Sequence, residues 1–222
     1  MSAKTGVVAK MSKIKYSLIL DDAVVRHIDN TARKNKTSRS GLINKILAEY
    51  LSYTTPETHI NEIMRRVGEI FGAEPDFVKV TENSERLFSV KTPLDCKYNP
   101  TIRYRIELFP SRDGNAFGEL QANYRIRSRD VASKLDRFFA LVAGAENKYF
   151  SRPNGCSVCE GKFSRKFFIP DGKDYTDDET AEAITAYVKN FDSILKDYLL
   201  EHCSDEQTVS AYRLCILNTD NI

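Results

Sequence analysis

Polar and apolar positions alternate from Lys13 to Leu18, with Lys13, Lys15 and Ser17 set against Ile14, Tyr16 and Leu18. That is the period-two pattern of a half-buried strand. After Leu20 the period changes. Asp21-Asp22 offers a helix cap, and Val24, Val25 and Ile28 follow at helical spacing. A turn through Asn35-Lys36 leads to a second cap at Thr37 or Ser38, and Asn35 tolerates the left-handed conformation that a helix end often needs. The second helix places Leu42, Ile43, Ile46, Leu47, Tyr50 and Leu51 on one broad face. One strand and two helices in roughly forty residues cannot bury a sufficient core alone. The pattern therefore predicts a dimer in which two copies of the strand pair antiparallel and four helices close over them.

Beyond "TTPET" at 54–58 the pattern predicts a helix to about Gly72 on Ile60, Ile63, Met64, Val67 and Ile70. Strands are expected near 76–81, 86–91, 101–108 and 117–127. Ile102, Tyr104, Ile106 and Leu108 alternate with Arg103, Arg105 and Glu107; Leu120, Ala122, Tyr124 and Ile126 alternate with Gln121, Asn123, Arg125 and Arg127. A helix follows over about 129–145, then a short strand at "KFFIP". The capping-box signal "TDDE" at Thr176–Glu179 opens a long helix, and "SDEQ" at 204–207 caps a last one. The order predicts a C-terminal antiparallel sheet packed with helices, α+β in class. It loosely resembles compact chaperone-like α+β domains, a likeness of topology that supplies no function.

The net charge of +2 hides an asymmetry. Residues 1–53 carry ten Lys/Arg against four Asp/Glu, and the remainder 23 against 27. A basic head on a mildly acidic body is expected to meet a polyanion. No apolar run approaches the roughly 20 residues that span a bilayer, and "MSAKTGVVAKMSK" is too polar for a secretory signal. Five cysteines without a dense framework suit a reducing cytoplasm.

Strand, "LDD", amphipathic helix, short turn and "SRSGLI" resemble the ribbon-helix-helix DNA-binding domains of the Arc, MetJ and CopG type. The resemblance covers residues 13–52. It implies a dimeric β-ribbon plus two helices, with the ribbon in a major groove, where base edges differ in donors and acceptors. Two positions depart from the family: Asn35 stands where glycine is frequent, and Gly41 where glutamate is common. The resemblance makes Lys15, Ser17 and Ile19 the base-reading residues. Phosphates are expected at the start of the second helix, from Thr37, Ser38 and Arg39 with Lys36 close by, and from Lys13. The domains expected are a flexible basic arm at 1–12, the ribbon-helix-helix head at 13–53 and an effector or partner-binding domain at 54–222.

Two further groups carry candidate chemistry. Arg103, Arg105, Arg125 and Arg127 are expected on one sheet face with Gln121 and Asn123, as a site for an anion, RNA or an acidic partner, or as a solvated face. Cys156 and Cys159 form a C-x-x-C that can pinch zinc, but a tetrahedral site needs four ligands. His202, Cys203, Cys215 and Cys96 are the available completions, and no cofactor is otherwise implied. Neither a phosphate-binding G-x-x-x-x-G-K-[ST] nor a G-x-S-x-G is present, so no enzyme is expected. The function expected is that of a prokaryotic, dimeric, sequence-specific transcriptional repressor with a C-terminal sensing or interaction domain. The alternatives are an antitoxin that autoregulates its operon, and an accessory protein that binds RNA or a nucleoprotein machine.

Overall fold

In the computed structural model, which describes residues 15–51, 53–96, 99–113, 115–150, 155–169, 173, 175–219 and 222, the chain begins with helices rather than a strand. α1 (Asp22–Lys34), α2 (Arg39–Tyr50) and α3 (Pro56–Gly72) all precede the first strand. This corrects the ribbon-helix-helix expectation and the fold order built on it. Residues 15–21 are irregular and exposed at 15–20. Alternation alone makes no strand: the backbone N–H and C=O groups need a partner strand, and no described residue supplies one. The arm at 1–12 and Lys13 lie outside the described residues.

The chain divides between His59 and Ile60 into a smaller N-terminal and a larger C-terminal unit. In the smaller unit α1 ends in a two-bond lock. The Thr37 amide donates to the Ala32 carbonyl at 2.9 Å and the Lys36 amide to the Arg33 carbonyl at 3.2 Å. Lys36 takes the left-handed position at φ +51°, while Asn35 keeps φ −88°. The left-handed residue is thus one place later than expected. α2 starts at Ser38, whose hydroxyl accepts from the Gly41 amide at 3.1 Å. A Cβ on Gly41 would lie 2.9 Å from Thr37 Oγ1 and 3.1 Å from Ser38 Oγ. Glycine there leaves room for the capping oxygen.

The larger unit is built on a six-stranded antiparallel sheet. Its strands are β1 (Val78–Val80), β2 (Leu87–Pro93), β3 (Thr101–Asp113), β4 (Ala116–Tyr124), β5 (Cys156–Cys159) and β6 (Lys162–Phe168), in the order β1-β2-β3-β4-β6-β5. The edge strands β1 and β5 are the shortest, which limits the unpaired backbone they present. α3, α4 (Arg129–Tyr149), α5 (Asp177–Leu199) and α6 (Asp205–Asn218) contribute to one core on one sheet face. Ile102, Tyr104, Ile106 and Leu120 lie beneath them, fully buried. α5 supplies Ile184, Tyr187, Val188, Phe191 and Leu195, also fully buried. Capping boxes open α5 at Thr176/Glu179 and α6 at Ser204/Gln207.

Strand β4 ends at Tyr124, three residues short of the expected 127. Its last pairing is Ile102↔Tyr124, one residue from the start of β3, so partner strand runs out. The Tyr124 hydroxyl then donates toward the Ala132 carbonyl at 2.9 Å and Asp136 at 2.7 Å, turning the chain into α4. Strand β5 is an addition to the expected strands, and β6 starts at Lys162, four residues before the expected "KFFIP". No helix among the described residues is long and apolar enough to cross a membrane.

Candidate functional site

The smaller unit buries little of what its sequence marks for burial. Of the broad apolar face of α2, Leu42 is buried and Ile43 half-buried, while Ile46, Leu47, Tyr50 and Leu51 are exposed, Tyr50 at 85%. Tyr16, Leu18, Ile19, Leu20, Val24 and Tyr53 are exposed as well. The buried apolar residues described in this unit are Ala32, Leu42, Ala48 and Pro56. Exposed apolar side chains grouped on one helix face, as on α2, are a signature of an interaction site.

Lys15, Ser17 and Ile19 lie in the irregular segment before α1, all exposed. Lys36, Thr37, Ser38 and Arg39 do gather at the start of α2. Ser38 is occupied by its own cap. Arg39 makes a bidentate pair with Asp29 of α1, Nε to Oδ1 at 2.6 Å and Nη2 to Oδ2 at 2.5 Å. That hydrogen bond and charge hold the Asp29 carboxyl below its usual range and raise the Arg39 guanidinium. The arginine expected to meet a phosphate thus already meets a carboxylate.

On the sheet face away from the helices, the register aligns Ser89, Arg105, Gln121, Ser164 and Ser157 in one row. The next row holds Lys91, Arg103, Asn123, Lys162 and Cys159. Glu82, in the turn after β1, reaches over both rows. Arg103 Nη2 donates to its Oε1 at 2.6 Å, Arg105 Nε lies 3.9 Å away, and the Ser89 hydroxyl donates to it as well. Desolvation works to raise the Glu82 pKa, but Ser89 and the two arginines outweigh it and hold the carboxyl below its ordinary value. Arg125 and Arg127 fall outside the sheet, exposed in the connection to α4. Of the four arginines expected together, two share this face and bind Glu82; the other two stand apart from it. Glu82 was missed because a lone acid in "TENSE" carries no periodic signal.

No family model, curated protein or solved structure matches the chain. Its sites therefore rest on geometry.

The C-x-x-C lies along β5, where a spacing of three puts side chains on opposite faces. Cys156 turns toward α4, its thiol 3.9 Å from the Ala143 carbonyl, and burial pushes its pKa up. Cys159 is exposed. The pair cannot pinch one ion from this strand. Cys215 is buried in α6, its thiol pushed up to about 12 by burial. Among the described residues no three His, Cys, Asp or Glu side chains are grouped to hold a metal.

Beside Cys156 the sequence conceals a buried charge network. Arg165 pairs with Cys156 in the sheet and so points into the core. Its Nε donates to Glu146 Oε1 of α4 at 2.6 Å, and its guanidinium lies 4.5 Å from the centre of the Tyr187 ring. Tyr212 of α6 donates to the same Glu146 oxygen at 2.7 Å and shares a hydrogen bond with Tyr187 at 2.9 Å. Burial opposes the charge on Arg165, but Tyr187, Glu146 and Tyr212 reverse that and raise its pKa. A second network joins α5 to the sheet. Asp192 accepts from Tyr104 at 2.9 Å and pairs with Lys196 at 2.8 Å, and Lys196 donates to Thr92 at 2.8 Å. Both networks lock helices to strands, although Nη1 and Nη2 of Arg165 are buried without a hydrogen-bond partner.

Proposed function

We propose that the chain is a non-catalytic accessory protein that works by association, and that its N-terminal unit is completed by a second copy of itself. The observation that supports this is the exposed face of α2. Ile46, Leu47, Tyr50 and Leu51 follow the spacing of a core-facing stripe, yet they face solvent. A unit of residues 8–59 falls within the roughly 40–60 residues over which a lone domain is marginal, and oligomerisation is one way to stabilise it. Two-fold pairing lets one patch cover its own counterpart, and it is the commonest oligomeric symmetry. The reading uses no ribbon and no DNA. The transcriptional reading loses its support with the ribbon itself. The RNA reading gains none from the sheet: the rows around Arg103 and Arg105 carry no aromatic ring on which bases stack, and Glu82 offsets the arginines. Five free thiols fit a reducing compartment.

Changing both Leu47→Glu and Leu51→Glu tests the reading in the full-length chain. Both side chains are exposed, so helix content should persist. Each leucine withdrawn from water is worth roughly 1.5–3 kcal/mol, so self-association should weaken at least about a hundredfold. Association unchanged by the double substitution would exclude this face.

A further inference from the structure

The larger unit carries a groove that its own core does not use. α4 and α6 run side by side in the same direction, with Arg137 bonded to Asp205 at one end and Arg213 stacked on Tyr149 at the other. Along α4, with Val209 of α6 on its far side, lies a shallow open groove of about 390 Å3. Its floor is apolar, formed by Ala140, Leu141, Gly144 and Val209. From Arg137 to Lys148 it follows about three helical turns, or roughly 17 Å at 1.5 Å per residue.

The charge around it is uneven. Arg137 is neutralised by Asp205. At the other end Lys148 and Arg213 approach the same ring, 5.0 Å and 4.9 Å from the centre of Tyr149. Neither has a carboxylate partner among the described residues. Two like charges held on one half-exposed tyrosine form an apolar anchor with an uncompensated positive rim. The head of a second copy is a poor occupant, since residues 1–53 carry ten Lys/Arg against four Asp/Glu. We infer that this groove docks an acidic, amphipathic helical segment of a partner protein. Its apolar stripe lies on Ala140, Gly144 and Val209, and its carboxylates meet Lys148 and Arg213. The inference deepens the reading of the chain as an association protein and places a second kind of partner on its larger unit.

Gly144 gives a direct test, because a Cβ built there meets nothing within 4 Å. Gly144→Leu should fill the groove without disturbing the core, and helix propensity favours the change. The probe is a fluorescein-labelled helical peptide of about twelve residues, with leucines on one face and glutamates elsewhere, titrated with the full-length chain. A matched peptide with lysine in place of glutamate is the control. The acidic peptide should bind saturably, at least tenfold tighter than the lysine peptide. Gly144→Leu should weaken it at least tenfold with an unchanged or raised melting temperature, and so should Lys148→Glu combined with Arg213→Glu. Absence of saturable binding, equal binding of the two peptides, or full binding by either variant would overturn the inference. The mass of the complex separates the two proposals. A dimer that binds no peptide removes the groove alone, and a monomer that binds it removes self-association alone.

Discussion

Lys36 holds a conformation that costs an L-residue about 1–2 kcal/mol relative to the right-handed region, because its amide and that of Thr37 close the end of α1. Lys36→Gly should therefore stabilise the smaller unit by about 1 kcal/mol. Asn35→Gly, at φ −88°, should give no gain. Chemical denaturation followed by helix content distinguishes the two, and a gain at Asn35 instead would misplace the turn. Asp192 offers a test through pH. Burial raises its carboxyl above 3.8, against the pull of Lys196 and Tyr104. The folded state then holds that proton more tightly than the unfolded state. Its contribution is fully present below 3.8 and is lost as pH rises through the raised value. Asp192→Asn cannot ionise, so the stability of the natural chain minus that of the variant should fall with pH across this window and then level off. Unfolding free energies measured over a pH series would show it; a difference that rises with pH would contradict the burial argument.

At the scale of elements, the buried pair of Arg165 and Glu146 ties β6 to α4. Glu146→Ala leaves a buried guanidinium without its partner and should cost about 3–5 kcal/mol. The combined change Arg165→Met with Glu146→Leu should cost far less than the sum of the single changes, since apolar replacement of a buried pair is often neutral. A double-mutant cycle in denaturant measures it, and additive costs would mean that the pair is not coupled. This network also shows where sequence patterns stop. β3, β4 and α5 are legible because each has one predominantly apolar face, and Thr176/Glu179 and Ser204/Gln207 declare their helix starts through local chemistry. β6 is legible only from Lys166 onward, because Arg165 occupies an inward position between Phe163 and Phe167. A charge on the apolar side of an alternation reads as an interruption; only its partners Glu146, Tyr187 and Tyr212, distant in sequence, make it a core residue. Arg125 and Arg127 extend a perfect alternation past the point where β3 can pair with it. Residues 15–18 alternate too, with no strand to receive them. In each case the pattern was present and the hydrogen-bonding partner decided.

For the whole molecule, the contrast lies between a larger unit whose sheet and four helices share a filled aromatic core and a smaller one that leaves its α2 stripe in solvent. The stripe could be read from spacing, but spacing does not say what covers it. In the proposed dimer a second copy covers it. Its basic charge opposes that pairing, so salt, which shortens the Debye length from about 10 Å at 0.1 M to about 3 Å at 1 M, should leave association as strong or strengthen it. Sedimentation equilibrium of the unmodified chain tests this most directly. Self-pairing through α2 should give a reversible species of twice the 25.3 kDa chain mass, retained or tightened as salt is raised. A single species of 25.3 kDa at every concentration, or a dimer that dissociates as salt is added, would contradict it.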